Sequence, residues 1–381
     1  MRIAVLAHVR HPVAPPFMGG MEAHSWHLAA GLARRGHEVT LFASGDSAAG
    51  LPPGVKLRPV LEQHYDARFP WHRWHGTDAL NAHLDAGFAQ ACRELLEGGF
   101  DIVHNNSLHR FPPRLARQMR LPMVTSLHVP PFPVLQRAVQ ESAAPWAWFT
   151  STSRSHGAAW WRGTREPPQH RVVANGIDLE AWPYAAGGDG SAVWAGRITP
   201  TKGPHLAAAA AARAGVPLTL FGTIEHQGYF DEKVRPWLGG AIRYGGHATA
   251  GQLSEAYRRA SVFLFTPMWE EPFGLAAVEA MASGLPVAAT SRGAVREVIG
   301  PAGRFADTED EASLAAALQS ALRIDPLVPR RRVERCFTGD RMISRCLALY
   351  AKARAGLDAA APSRRFPQHA LRIAAPAMAA G

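Results

Sequence analysis

Short apolar runs alternate along this chain with longer stretches in which apolar residues recur every three or four positions, the first pattern fitting buried strands and the second helices. Arg2 to His8 reads as a strand, Met21 to Arg35 as a helix stopped by Gly36, and Glu38 to Phe42 as the next strand, a β-α-β opening. Asp101 to His104 and Pro122 to Leu127 are further short strands, each ending at polar residues, where parallel strands present chemistry. Pro59 to Trp74, rich in His, Trp, Arg and Pro, has no clear period and reads as a loop with a helical turn.

A second alternation follows, with strands at Ser191 to Ala195, Leu218 to Phe221, Ile242 to Tyr244, Val262 to Phe265 and Pro286 to Ala289. Before it, Arg171-Val172-Val173 meets Ala174-Asn175-Gly176-Ile177-Asp178, and the loose Ala185 to Gly190 segment comes soon after, which places a linker there. Asn175-Gly176 suits a turn. Arg341 to Arg354 can form a terminal helix, whereas the stretch from Ala359, with Pro362, Pro367 and Pro376 among many alanines, has little to pack. The expected plan is two α/β doubly wound domains, 1–173 and 174–340, then a helix over 341–358 able to pack back on the first, and a disordered tail over 359–381. A chain of 381 residues is too long for one ordinary core, and two domains imply a cleft.

Composition narrows the classes. With 47% hydrophobic and 19% charged residues the chain is in the globular range, and no apolar run approaches the roughly 20 residues that span a bilayer. The first apolar run is too short for a signal peptide, and three cysteines (Cys92, Cys336, Cys346) form neither a disulfide framework nor a zinc spacing, so a reducing cytoplasm is expected. The formal charge of +10 favours phosphate-rich partners. Arg330, Arg331, Arg332 and Arg335 lie among Ala, Gly and Pro and read as solvated surface, so nucleic acid is not an expected partner, while contact with an anionic membrane surface stays open.

The most informative segment runs from Thr266 to Val287: strand end, tight turn, helix and next strand. Glu271-Pro272-Phe273-Gly274 leads into a helix N-terminus, whose unpaired N–H groups and dipole suit sugar hydroxyls and phosphates. Glu279 lies on the same helix, eight residues or about two turns after Glu271, so both carboxylates can face one cleft. Gly19-Gly20 precedes the first helix, where glycine lets a phosphate approach the backbone. No G-x-G-x-x-G follows the first strand, which argues against a nicotinamide enzyme.

The 266–287 segment is similar to the E-(seven residues)-E signature of family 4 retaining glycosyltransferases, with its flanking E-P-F-G-L and E-A-M-A-x-G-x-P-V. Gly196-Arg197 followed by Lys202-Gly203 resembles the G-R…K-G element of the same family, and Asn175-Gly176-Ile177-Asp178 its N-G-[VI]-D linker. The resemblance implies a GT-B architecture: two Rossmann-like domains facing across a cleft, with transfer of a hexose-type sugar from a nucleotide diphosphate, UDP ahead of GDP. It also implies roles: Glu279 on the ribose; Arg197, Lys202 and the Gly19-Gly20 turn on the diphosphate; Glu271 and the backbone of Phe273, Gly274 and Leu275 on the sugar; His128 in catalytic support. Guanidinium and ammonium groups can stabilise the charge of a departing diphosphate. With no D-x-D pair near these elements, neither metal nor other cofactor is expected, and transfer is expected on the same face, with retention.

Two departures stand out: Arg292-Gly293-Ala294-Val295-Arg296-Glu297-Val298 replaces a two-glycine, Pro-Glu-Val run, leaving Glu297 to cap or orient the loop, and Met268-Trp269 precede the glutamates where other residues are frequent. The acceptor is expected on the first domain, where Pro59 to Trp74 and Trp71, Trp74, Trp146, Trp148, Trp160 and Trp161 can form a surface for a sugar, a lipid-linked group or a small aromatic molecule, unless these tryptophans are core. A nucleotide-sugar epimerase, a phosphorylase-like enzyme and a noncatalytic sugar-nucleotide binder are the alternatives on the same architecture.

Overall fold

A computed structural model describes residues 1–360; the stretch of the expected tail from Ala361 onward therefore lies outside the described residues. The first sheet has seven parallel strands: β1 (Arg2–Leu6), β2 (Glu38–Ser44), β3 (Val55–Leu61), β4 (Ile102–Asn105), β5 (Met123–Leu127), β6 (Ala147–Ser151) and β7 (His170–Val172), in spatial order β3-β2-β1-β4-β5-β6-β7. The second has six: β8 (Ala192–Ala195), β9 (Leu218–Phe221), β10 (Ile242–Tyr244), β11 (Val262–Phe265), β12 (Val287–Ala289) and β13 (Gly303–Phe305), ordered β10-β9-β8-β11-β12-β13. Strand order reverses between β1 and β4 in one sheet and between β8 and β11 in the other. Crevices at such reversals, outside the carboxyl ends of the strands, are where open α/β sheets bind ligands.

Helices cover both faces of each sheet, as the continuous burial of β1, β4, β5, β8 and β11 requires. Four strands lie outside the sequence expectation, β3, β6, β7 and β13; β7 and β13 have three residues each and hold no run long enough to register. The Pro59 to Trp74 reading needs correction, because Pro59 to Leu61 complete β3 and two one-turn helices follow at Tyr65–Arg68 and Trp71–Trp74. β3 is an edge strand pairing with β2 alone, so its middle is exposed and Pro59 is tolerated, which erased the apolar signal.

The chain passes between the sheets twice, and the two passages touch. Ile177 N–H donates to the Phe337 carbonyl at 2.9 Å, and Gly339 N–H donates to the Ile177 carbonyl at 2.8 Å. Gly176 lies in no turn and outside the left-handed region, contrary to the Asn-Gly reading; a Cβ on it would lie 2.4 Å from the Thr338 carbonyl oxygen, so glycine is set by close approach. The Gly339–Asp358 helix then lies on the first sheet, where Met342, Ile343, Cys346, Leu349, Tyr350 and Ala353 join the core with Ile3, Val5, Leu28 and Val124. Gly31 in the first helix makes room for it, since a Cβ there would sit 2.0 Å from Ile343 Cδ1.

Arginines expected as solvated surface are in part structural: Arg330 donates to the carbonyls of Trp182 and Ala282, and Arg332 to those of Glu297 and Val298. Of the six tryptophans considered as an acceptor surface, Trp146, Trp160 and Trp161 are buried in the first domain's core, leaving Trp71, Trp74 and Trp148 partly exposed. No helix among the described residues is long and apolar enough to cross a membrane.

Tyr350 ties the returning helix to the sheet through a 2.7 Å hydrogen bond between its hydroxyl and His104 Nδ1, both groups fully buried. Tyr350→Phe keeps the ring and strands the imidazole nitrogen, so a loss of about 1–3 kcal/mol in urea unfolding is expected. An unchanged midpoint and slope would show that the bond contributes nothing.

Candidate functional site

The loops that leave the strands at the two reversals carry nearly all of the residues singled out by sequence. Gly19 and Gly20 follow β1, Arg197 and Lys202 follow β8, and Glu271 to Leu275 follow β11, while His128 follows β5. The two halves meet closely here: a Cβ on Gly20 would lie 2.8 Å from Leu275 Cδ1, placing the start of the Gly20–Arg34 helix against the start of the Leu275–Ala282 helix.

Lys202 is fixed by a buried scaffold. Trp194 Nε1 donates to Thr266 Oγ1 at 2.9 Å, and that hydroxyl reaches the carbonyls of Lys202 and Gly203 at 3.0 and 2.9 Å. Gly203 has φ +63° and passes so close to β11 that a Cβ would be 2.4 Å from the Thr266 carbonyl oxygen. Lys202 Nζ then donates to Glu271 Oε2 at 2.6 Å, and Trp269 Nε1 donates to the same oxygen at 2.8 Å, with Nζ 5.0 Å from the Trp269 ring centre. Trp269, noted only as a departure, is therefore part of the Glu271 setting.

Glu271 and Glu279 do not share a helix. The helix begins at Leu275, and Gly274 before it has φ +93°, so Glu271 stands on the incoming loop with its carboxylate buried, while Glu279 lies one turn inside. The glycine was legible in the sequence, but its left-handed geometry breaks the two-turn spacing. Gly293, the one glycine kept in the departing loop, packs on Glu271: a Cβ would come within 2.5 Å of its backbone nitrogen and oxygen, and Ala294 N–H donates to the Glu271 carbonyl at 2.8 Å. The Glu279 carboxylate makes no hydrogen bond among the described residues; part of the residue reaches the surface, yet desolvation pushes its carboxyl up to about 7.

Polar bonds seam the domains beside this loop. Thr152 and Ser153 hydroxyls donate to the Pro272 carbonyl at 2.8 and 2.9 Å. Glu297, expected to cap its own loop, instead caps the Arg154–Trp160 helix of the other domain, accepting from Arg154 N–H at 3.0 Å and Ser155 N–H at 3.3 Å. Arg197 NH1 donates to both oxygens of Glu225 at 3.0 Å. Nothing in the sequence marked Glu225, which follows β9 without a motif.

His128 sits in a buried polar string. Its Nε2 donates to Asn106 Oδ1 at 3.0 Å, its ring lies 4.4 Å from that of His24, and Asn106 Nδ2 donates to Ser25 Oγ at 3.2 Å. Burial, then the neighbouring His104 and His156, lower its pKa to about 3, so the ring is neutral at physiological pH. A neutral imidazole can orient a substrate hydroxyl but does not supply a charge. No group of three or more His, Cys, Asp or Glu side chains among the described residues is placed to hold a metal ion.

Two family models match the chain in tandem: "Glycosyltransferase Family 4" over residues 18–181 and "Glycosyl transferases group 1" over residues 185–334. The glycogen synthase of Mycobacterium tuberculosis (strain H37Rv) is 28% identical, with 87% of this chain and 88% of that protein covered. The MMP alpha-(1->4)-mannosyltransferase of Mycolicibacterium hassiacum is also 28% identical, over 93% of this chain and 98% of its own length. Among solved structures, Anabaena HepE in complex with UDP-glucose superposes with a TM-score of 0.68 at 17% identity, covering 91% of this chain and 99% of that one, a likeness of fold.

The raised Glu279 pKa has a signed consequence. The folded state binds this proton more tightly than an unfolded chain, so its stabilising contribution is present below pH about 4.5 and is lost as pH rises through about 7. Unfolding free energy of the wild type should therefore fall relative to Glu279→Gln across that window. Parallel pH profiles for the two proteins would show the carboxyl to be unperturbed.

Proposed function

The chain belongs to the glycosyltransferase family that these two models describe, and on that premise we propose that it moves a hexose-type sugar from a nucleotide diphosphate, UDP ahead of GDP, to an acceptor hydroxyl with retention of configuration. The observation that carries this reading is the Lys202–Glu271 pair at the open end of the Leu275–Ala282 helix, with Gly20 of the other domain against Leu275. It joins a cation, a carboxylate, unpaired helix N–H groups and a glycine turn from the facing domain. Those are the groups that a diphosphate joined to a sugar needs.

Lys202 and Arg197 would neutralise the diphosphate and stabilise the charge that develops on it as the glycosidic bond breaks, without a metal ion. Glu271 would orient the sugar through its hydroxyls, with the N–H groups of Phe273, Gly274 and Leu275 beside it, and Gly19-Gly20 would let the phosphates approach the first helix. Glu279 would accept from the ribose hydroxyls. Its carboxylate has no hydrogen-bond partner among the described residues, and a diol that donates to it would favour the ionised form against the desolvation that raises its pKa. His128, held by Asn106, would face the transferred sugar as a neutral hydrogen-bonding group. No side chain at the site stands out as a covalent nucleophile, so the departing phosphate would receive the acceptor proton on the same face. UDP-glucose in HepE supports a uridine donor as the first to test. The acceptor is of unassigned class, a sugar, a lipid-linked group or a small aromatic molecule, and the partly exposed Trp71 and Trp74 are the first-domain surface to examine for it.

Calorimetry and product analysis with a panel of nucleotide sugars, with and without chelator, tests the reading. A UDP-sugar should bind and hydrolyse slowly in chelator, and Lys202→Ala and Arg197→Ala should each lower turnover about 100-fold, as loss of a partner to developing charge does. Loss of turnover in chelator would overturn metal-independent transfer. Full turnover in both variants would remove these cations from the site.

A further inference from the structure

Glu225 binds two cations that belong to different domains. Its oxygens both accept from Arg197 NH1 of the second domain, and Oε1 also accepts from Arg10 NH2 of the first at 3.5 Å. Arg10 is anchored where it stands: its Nε donates to Asp66 Oδ1 at 3.1 Å, its guanidinium carbon lies 5.2 Å from the Trp71 ring centre, and Asp66 accepts from Trp71 N–H at 2.9 Å. Arg10 lies on the β1 loop that leads to Gly19, and Glu225 on the loop after β9, so the bridge crosses the cleft beside the sheet reversals. The side chains of Arg10 and Glu225 are only 15% and 19% exposed, which limits screening by water.

A diphosphate that contacts Arg197 competes with Glu225 for the same N–H groups, and two anions on one guanidinium repel. The Arg10 bond, at 3.5 Å, is long for a charge-assisted hydrogen bond, so the carboxylate has a second cation toward which it can shorten. Because Asp66 and Trp71 fix Arg10 to the first domain, shortening that contact draws the domains together.

We propose that Glu225 and Arg10 are positioning residues for the donor: a diphosphate takes Arg197 from Glu225, and Glu225 turns to Arg10, coupling donor binding to approach of the two domains. The proposal rests on the reading of Arg197 as a diphosphate ligand. No bond is made or broken; an ion pair is exchanged.

The test uses the full chain, with UDP, GDP and ADP as probes in calorimetry and small-angle X-ray scattering, and the best UDP-sugar in hydrolysis. The wild type should contract when a nucleoside diphosphate binds. Arg10→Gln and Glu225→Gln should still bind it, Glu225→Gln more tightly, but should not contract, and their kcat should fall about 10-fold with KM changed less, since an ordering step and not ground-state binding is lost. Arg10→Lys, which keeps the charge, should restore contraction. A merely structural role would lower stability and leave that split unmoved. Variants that contract and turn over like the wild type, or a wild type that binds without contracting, overturn this inference alone. A wild type that binds none of the three overturns the donor reading and this inference with it.

Discussion

Opposite charges held in pairs along the walls of the cleft, with one pair crossing it, are what the rest of this molecule is arranged around. Two parallel sheets that turn their carboxyl ends toward one another collect loops, helix N-termini and long charged side chains in one place, and cations left unpaired there would push the halves apart. Lys202 is balanced by Glu271, Arg197 by Glu225, and Arg10 by Asp66 and Glu225. The scaffold beneath is neutral and buried, with Trp194 and Thr266 holding the backbone at Lys202. Rigid support under exchangeable ion pairs lets a site trade partners without losing its shape.

The segment from Glu271 to Leu275 serves three neighbours at once. Its Glu271 side chain answers Lys202 and Trp269, its Pro272 carbonyl answers Thr152 and Ser153 of the facing domain, and its Leu275 side chain meets Gly20. Contact between domains and placement of the Glu271 carboxylate are therefore one structural event. Glu297 strengthens the same seam by capping a helix in the other domain, although its own loop lacks the more usual glycine pair.

Much of this was readable in the residues. The E-(seven residues)-E string, Arg197, Lys202 and Gly19-Gly20 all stand on the loops and helix starts that follow strands at the two reversals, and most strands fall within two residues of their expected ends. Short or half-exposed strands escaped, because β3 runs along an edge and β7 and β13 hold three residues each. Three tryptophans proved to be core, since indole volume suits both a surface and an interior and the sequence does not distinguish them. Arg10 and Glu225 carry their meaning only through each other, at a sequence separation of 215, and Trp269 only through the bent loop that returns its indole to Glu271. Local pattern does not encode such pairs.

The return of the Gly339–Asp358 helix to the first sheet also governs how the protein comes into being on the ribosome. One face of the first core needs Met342, Ile343, Leu349 and Tyr350, residues synthesised after the whole second domain. The half that begins first is thus completed last, and the second domain, whose core lies within a continuous stretch, can close while its predecessor still waits. A chain stopped short of this helix would carry an intact second domain and expose apolar surface on the first.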